Sequence, residues 1–123
     1  MMWRTCAWLI FAIAGCIAAP ATYAAFSDGV LQQIRDTKTL VIGYHETVPP
    51  FSFFGKDQKP QGYSIDLCLA IAEAVKKELQ LPELKVQWVP VNLQNRMPLI
   101  ANGTVNIECA AAANTIGRQS QVD

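Results

Sequence analysis

The chain has 123 residues, with 10 Lys or Arg against 10 Asp or Glu, and 51% of it is hydrophobic. That length allows one modest domain, and a formal charge of zero supplies no field to hold nucleic acid or an anionic membrane. A single histidine and the absence of a Cys-x-x-Cys pair speak against a zinc site.

The first two dozen residues read as an export signal. Arg4 supplies the charged start, Ala7 to Ala19 is nearly all apolar, and the small residues Thr22 and Ala24 mark cleavage after Ala24. The apolar run is too short to span a bilayer comfortably. The division expected is a signal peptide over 1–24 and an exported, periplasmic part over 25–123. Ile13-Ala14-Gly15-Cys16 carries small residues before a cysteine and keeps open a second reading, lipid anchoring at Cys16. Cys68 and Cys109 lie in the exported part, where disulfides persist. As residues on separate elements they read first as two small buried hydrophobes, with pairing as the alternative.

Ser27 or Asp28 is placed to cap a helix running to about Asp36, with Val30, Leu31 and Ile34 on one face. Leu40-Val41-Ile42, ending at Gly43, is a continuous apolar run that suits a strand covered on both faces. Tyr44, His45, Glu46 and Thr47 arrive together just past its carboxyl end, where open α/β sheets place their ligands. Pro49 and Pro50 stiffen the loop beyond them. Phe51 to Phe54 reads as a short strand and the polar stretch from Gly55 to Gly62 as its turn.

Ser64 is a candidate N-cap for a helix whose apolar face carries Leu67, Cys68, Ile71, Ala72, Val75 and Leu79. Pro82 closes it, and Leu84 to Val89 alternates as a strand. Asn92 is placed to cap another helix through Met97, Leu99 and Ile100, stopped by Asn102-Gly103. Pro98 inside it demands either a late start or a kink. Thr104 to Glu108 forms the last strand. Helices alternating with strands predict an α/β fold, a mostly parallel sheet flanked by helices.

No enzyme signature is present: there is no Gly-rich phosphate cradle, no Gly-x-Ser-x-Gly and no His-Glu-x-x-His. Neither a metal nor a cofactor is implied. His45 and Glu46, as neighbours in an extended loop, point to opposite sides and do not form an acid/base pair. Arg96 and Arg118, two of four arginines, each follow a turn or cap. A guanidinium matches both oxygens of a carboxylate at once, which makes them candidate clamps; the plain alternative for each is a surface arginine.

Gly62-Tyr63-Ser64-Ile65-Asp66-Leu67, followed by Ile71-Ala72 and Val75, resembles the signature of the polar amino-acid-binding proteins of bacterial ABC uptake systems, family 3 of the periplasmic solute-binding proteins. Leu40-Val41-Ile42-Gly43, Glu46, Pro50-Phe51-Ser52-Phe53, Gln94-Asn95-Arg96, Pro98-Leu99, Asn102-Gly103-Thr104 and Glu108-Cys109 are similar to its glutamate/aspartate-binding branch. The likeness runs from about residue 28 to residue 123. It implies a type II periplasmic-binding-protein fold, of which this chain is the N-terminal part of lobe 1. It also implies an amino-acid ligand, an inner-membrane ABC permease as partner, and binding without chemistry. Carried over residue by residue, it implies that Arg118 receives the ligand's α-carboxylate and Arg96 a side-chain carboxylate, with His45, Ala111, Ala113 and Asn114 lining the pocket.

Several positions depart from the pattern. The family's usual acidic residue is missing at Ser64. The branch carries arginine where this chain has His45, serine where it has Leu93, and hydroxyl residues where it has Ala111 and Ala113; its Gly-Ser-Thr-Thr segment has become Ala110-Ala111-Ala112-Ala113. Each hydrogen bond lost to a charged ligand is worth about 1.5 to 3 kcal/mol, so weaker or altered specificity for acidic amino acids is expected. The family continues beyond the position of Asp123 into another core strand, a hinge and a second lobe. A truncated receptor with a half-built cleft and an unpaired sheet edge is therefore expected. Two alternatives stand beside it: a dehydratase-type enzyme on the same scaffold, with Glu46 or Glu108 as its acid or base, and a non-binding remnant.

Overall fold

The computed structural model describes residues 28–122. The expected signal segment, its Cys16 and the Ser27 cap lie outside the described residues. The element order is α1 (Asp28–Thr37), β1 (Thr39–Tyr44), β2 (Thr47–Val48), β3 (Ser52–Phe54), β4 (Pro60–Gln61), α2 (Tyr63–Glu78), β5 (Lys85–Pro90), α3 (Arg96–Ala101), β6 (Ile107–Cys109) and α4 (Ile116–Gln119).

The apolar run from Leu40 to Ile42 becomes the middle strand. β1 pairs in parallel with β5 from Thr39↔Lys85 to Tyr44↔Pro90 and with β6 from Ile42↔Ile107 to Tyr44↔Cys109, giving the order β5-β1-β6. Asn106 extends the second ladder below β6: its backbone N–H donates to the Val41 carbonyl at 2.9 Å and its side-chain Oδ1 accepts from the Val41 N–H at 2.8 Å. A second, antiparallel sheet of order β2-β3-β4 forms the hairpin that the aromatic run and polar turn predicted.

Ile34 of α1, Leu40, Ile42 and Tyr44 of β1, and Ile65, Cys68, Ala72 and Leu79 at the inner side of α2 form one core with Cys109. The buried stripe of α2 is narrower than its apolar face. Leu67 and Ile71, expected inside, stay 49% and 42% exposed. A helix over a three-stranded sheet covers one line of contact, and the positions 65, 68, 72, 75 and 79 occupy it.

Two helix starts differ from the expected caps. The N-cap of α2 is Gly62, at φ 125°, and not Ser64. A side chain at Gly62 would run into the Phe51 carbonyl, and this close approach supplies the cap. The Tyr63 and Ser64 N–H groups donate to the Pro50 and Phe51 carbonyls at 3.0 and 2.9 Å, so the loop's backbone satisfies helix donors that a serine hydroxyl would otherwise serve. Asn92 holds a turn ahead of α3, accepting from the Gln94 and Asn95 N–H groups at 2.9 and 3.0 Å. The helix begins late, at Arg96, which places Pro98 in the first turn where its missing N–H is not needed. α4 had no apolar periodicity to announce it, and its Ile116 is 87% exposed.

Cys68 and Cys109 are both buried and form a disulfide, with Cα atoms 6.2 Å apart. The reading of two separate buried hydrophobes is thereby corrected: the inner stripe of α2 lies over the end of β6, a proximity that spacing within either element does not reveal. The bridge closes a separation of 41 residues. In the chain-entropy picture such a loop contributes about 4 kcal/mol. Replacing both cysteines by alanine is expected to lower the urea midpoint correspondingly in non-reducing buffer, and dithiothreitol to reproduce the loss on the unaltered chain. Identical midpoints for all three samples would show that the sulfurs are not joined in solution.

Candidate functional site

The chain leaves β1, crosses to β5 on one side and later returns to β6 on the other, so the strand order reverses beside β1. In open α/β sheets ligands sit outside the carboxyl ends of the strands at such a reversal. Here those ends are Tyr44-His45 on β1 and Cys109-Ala110 on β6.

His45 is held by Ser52, a serine inside an aromatic run. The His45 N–H donates to Ser52 Oγ at 2.9 Å and the Ser52 hydroxyl donates to the His45 carbonyl at 2.9 Å, with Ser52 fully buried. Both backbone groups of His45 are therefore committed, and the imidazole projects from a fixed position. Its ring Nε2 lies 3.3 Å from Glu108 Oε1 but makes no aligned hydrogen bond. The same carboxylate oxygen accepts from Arg96 Nη1 at 3.2 Å. All three side chains are almost closed off from solvent, at 9%, 8% and 6% exposure for His45, Glu108 and Arg96. Arg96 Nε is also buried with no partner among the described residues. Next to them, burial first and the Glu46 carboxylate second raise the Tyr44 phenol above its ordinary pKa, which keeps it neutral at physiological pH.

The six residues expected at the site divide into two groups. Arg96, His45 and Ala111 line a cavity of about 380 Å³ together with Thr47, Asn92 and Gln94. Arg118, Ala113 and Asn114 line another of about 600 Å³, walled by Glu108 and Met97. The two guanidinium groups thus face different cavities, on either side of the β6 residue Glu108. Arg118 differs from Arg96 in setting as well: it is partly exposed, and its Nη1 donates to the Ala113 carbonyl at 2.7 Å. Ser52 and Glu108 were not among the expected binding residues. Ser52 stood out as a lone serine between phenylalanines, in a run that carries the family likeness; Glu108 stood only as a candidate acid or base, and nothing in the sequence pairs positions 96 and 108. Among the described residues no group of three His, Cys, Asp or Glu gathers to hold a metal ion.

Chemically, this cavity offers a buried cation already paired with one carboxylate, a polar rim and an imidazole, which suits reversible capture of a small polar molecule. Removing the counter-charge isolates Arg96. Glu108→Ala is expected to destabilise the fold by about 3 to 5 kcal/mol in urea unfolding, whereas an Arg96→Met, Glu108→Leu double variant recovers most of that loss. Arg118→Ala, at its more exposed position, is expected to cost under about 1 kcal/mol. Equal losses for Glu108→Ala and Arg118→Ala would contradict the burial argument.

Comparison with known proteins bears on the fold and the family. Residues 40–123 match the family described as bacterial extracellular solute-binding proteins, family 3. The chain is 47% identical over 112 residues to an L-glutamate/L-aspartate-binding protein of Pseudomonas aeruginosa, covering 90% of this chain and 37% of that protein. It is 42% identical over 104 residues to a glutamate/aspartate import solute-binding protein of Escherichia coli, covering 85% and 33%. Among solved structures, a cysteine-binding protein from Campylobacter jejuni superposes with a TM-score of 0.62 at 34% identity, over 76% of this chain and 36% of that one. The chain therefore spans between a third and two fifths of the length of these relatives. Its fold is the α/β architecture of a type II periplasmic binding protein, and the chain belongs to the family 3 bacterial extracellular solute-binding proteins.

Proposed function

From that membership we propose that the chain forms the first wall of a periplasmic amino-acid receptor, exported by the signal over 1–24, which serves an inner-membrane ABC permease. Its ligand in this reading is an amino acid of the glutamate/aspartate type, taken up and released unchanged, with no catalysis. The observation that carries the reading is Arg96: its guanidinium lines a cavity at the strand-order reversal, and its buried Nε has no partner among the described residues. A ligand carboxylate accepting from that Nε would satisfy the orphaned donor with a charge-assisted hydrogen bond.

Arg118, which faces the neighbouring cavity, becomes the proposed holder of the α-carboxylate only when its side chain turns toward the cavity of Arg96, with Ala113 and Asn114 beside it. It donates at present to the neutral Ala113 carbonyl. A carboxylate binds a guanidinium more strongly than a neutral carbonyl does, so exchange toward ligand is favourable. Alanine at positions 111 and 113 keeps its backbone N–H as a donor to the ligand and offers no hydroxyl.

Isothermal titration of the chain with L-glutamate, L-aspartate, L-glutamine and L-arginine tests the reading. Heat is expected with the two acidic amino acids, and Arg96→Met is expected to weaken their binding at least about tenfold, a loss of about 1.4 kcal/mol. Absence of heat with all four on folded protein would reject the proposal. Recovery of a chemically altered amino acid after incubation would favour the enzyme instead.

A further inference from the structure

The charges around the first cavity cancel. Arg96, which lines it, carries one positive charge, Glu108, paired with Arg96 from outside the lining, carries one negative, and the lining residues other than Arg96 and His45 bear no charge. A ligand's side-chain carboxylate entering here would meet a positive charge that Glu108 has already answered, with a second carboxylate close by. Burial makes that repulsion matter, because little solvent screens it. One group in the cavity can restore the balance. His45 lines it, its Nε2 is buried without a hydrogen bond, and it stands 3.3 Å from Glu108 Oε1.

We propose that His45 takes up a proton from solvent when an acidic ligand binds, so that glutamate or aspartate enters as carboxylate plus proton while a neutral amino acid enters alone. The proposal rests on the receptor reading above and names its regulation: capture of acidic amino acids strengthens as pH falls. Protonated, the ring would carry the charge that faces Glu108 on one side and the ligand carboxylate on the other, leaving two positive and two negative charges in the cavity. The charged groups around the imidazole act in opposite senses. Glu108 of β6 favours the imidazolium, and Arg96 of α3 opposes it but is compensated by Glu108. From the adjoining β3 the Ser52 hydroxyl is tied to the His45 backbone. Glu46 and Tyr44 flank it in sequence, the first anionic and the second neutral. Imidazole is the side chain whose charge changes in the physiological range, and Ser52 holds this one in place.

Linkage makes the proposal measurable. For each proton taken up, log affinity falls by as much as one per pH unit, so glutamate is expected to bind more weakly at pH 8 than at pH 6, by up to about a hundredfold. Titrations of L-glutamate at both pH values, in two buffers of different ionisation heat, should return close to one proton taken up per ligand at pH 8. L-Glutamine should return none. In His45→Gln the pH dependence should vanish, and His45→Arg should bind glutamate equally at both pH values, because arginine carries its charge throughout. His45 is the single histidine of the chain. On untagged protein its ring NMR signals therefore report protonation directly, and saturating glutamate at pH 8 should move them to the imidazolium position. Glutamate binding of equal strength at both pH values, or with the ring still neutral, overturns this proposal and leaves the receptor reading intact. No heat with any amino acid at either pH removes the receptor reading and this proposal with it.

Discussion

One buried carboxylate organises the functional end of the molecule. Glu108 Oε1 accepts from Arg96 Nη1 and lies against His45 Nε2, and all three side chains are nearly inaccessible. A charge in that position is tolerated only with an opposite charge at hydrogen-bond distance, so the three elements that carry these groups must meet there. β6 brings Glu108, the late-starting α3 brings Arg96 at its first residue, and the end of β1 brings His45. The same contact separates the two cavities, since Glu108 pairs with residues of one and walls the other.

The rest of the fold makes that meeting possible. β1 gives its hydrogen bonds to a parallel neighbour on each side, which aligns the carboxyl ends of β1 and β6. α2 covers β1 with Ile65, Cys68 and Ala72, and its disulfide to Cys109 ties the helix to the residue next to Glu108. Gly62 lets the start of α2 press against the backbone at Phe51, and Ser52, one residue on, holds His45. A single connected path of backbone and sulfur contacts thus runs from the core to the imidazole. Position, and with it the strength of each electrostatic term, is inherited from packing.

The first cavity carries one fixed cation, Arg96, already paired with Glu108, and among its lining residues Thr47 has the one side-chain hydroxyl. Ala111 in this cavity, and Ala113 in the other, offer backbone groups and no hydroxyl. The geometry compensates in one respect: an unpartnered Arg96 Nε remains at a buried site. What marks the site is a buried, paired charge on a scaffold whose hydrogen-bonding frame is largely backbone.

Much of this was legible in residue order alone. Continuous apolarity marked Leu40 to Ile42 as a doubly covered strand, helical spacing marked Cys68, Ala72 and Leu79 as an inner face, and the alternation of elements marked a parallel sheet, because these signals are local and each depends on a period of two or 3.6 residues. Motif spacing located the family, and a place just past a strand's carboxyl end marked the cluster at Tyr44 to Thr47. Tertiary structure decided the rest. The cap at Gly62, the joining of Cys68 to Cys109, the pairing of Arg96 with Glu108 and the division of the six expected site residues between two cavities all depend on which distant segments touch. A guanidinium, a carboxylate and an imidazole read identically in sequence whether they face solvent, a ligand or one another; only the packing that removes water from around them assigns each charge its partner.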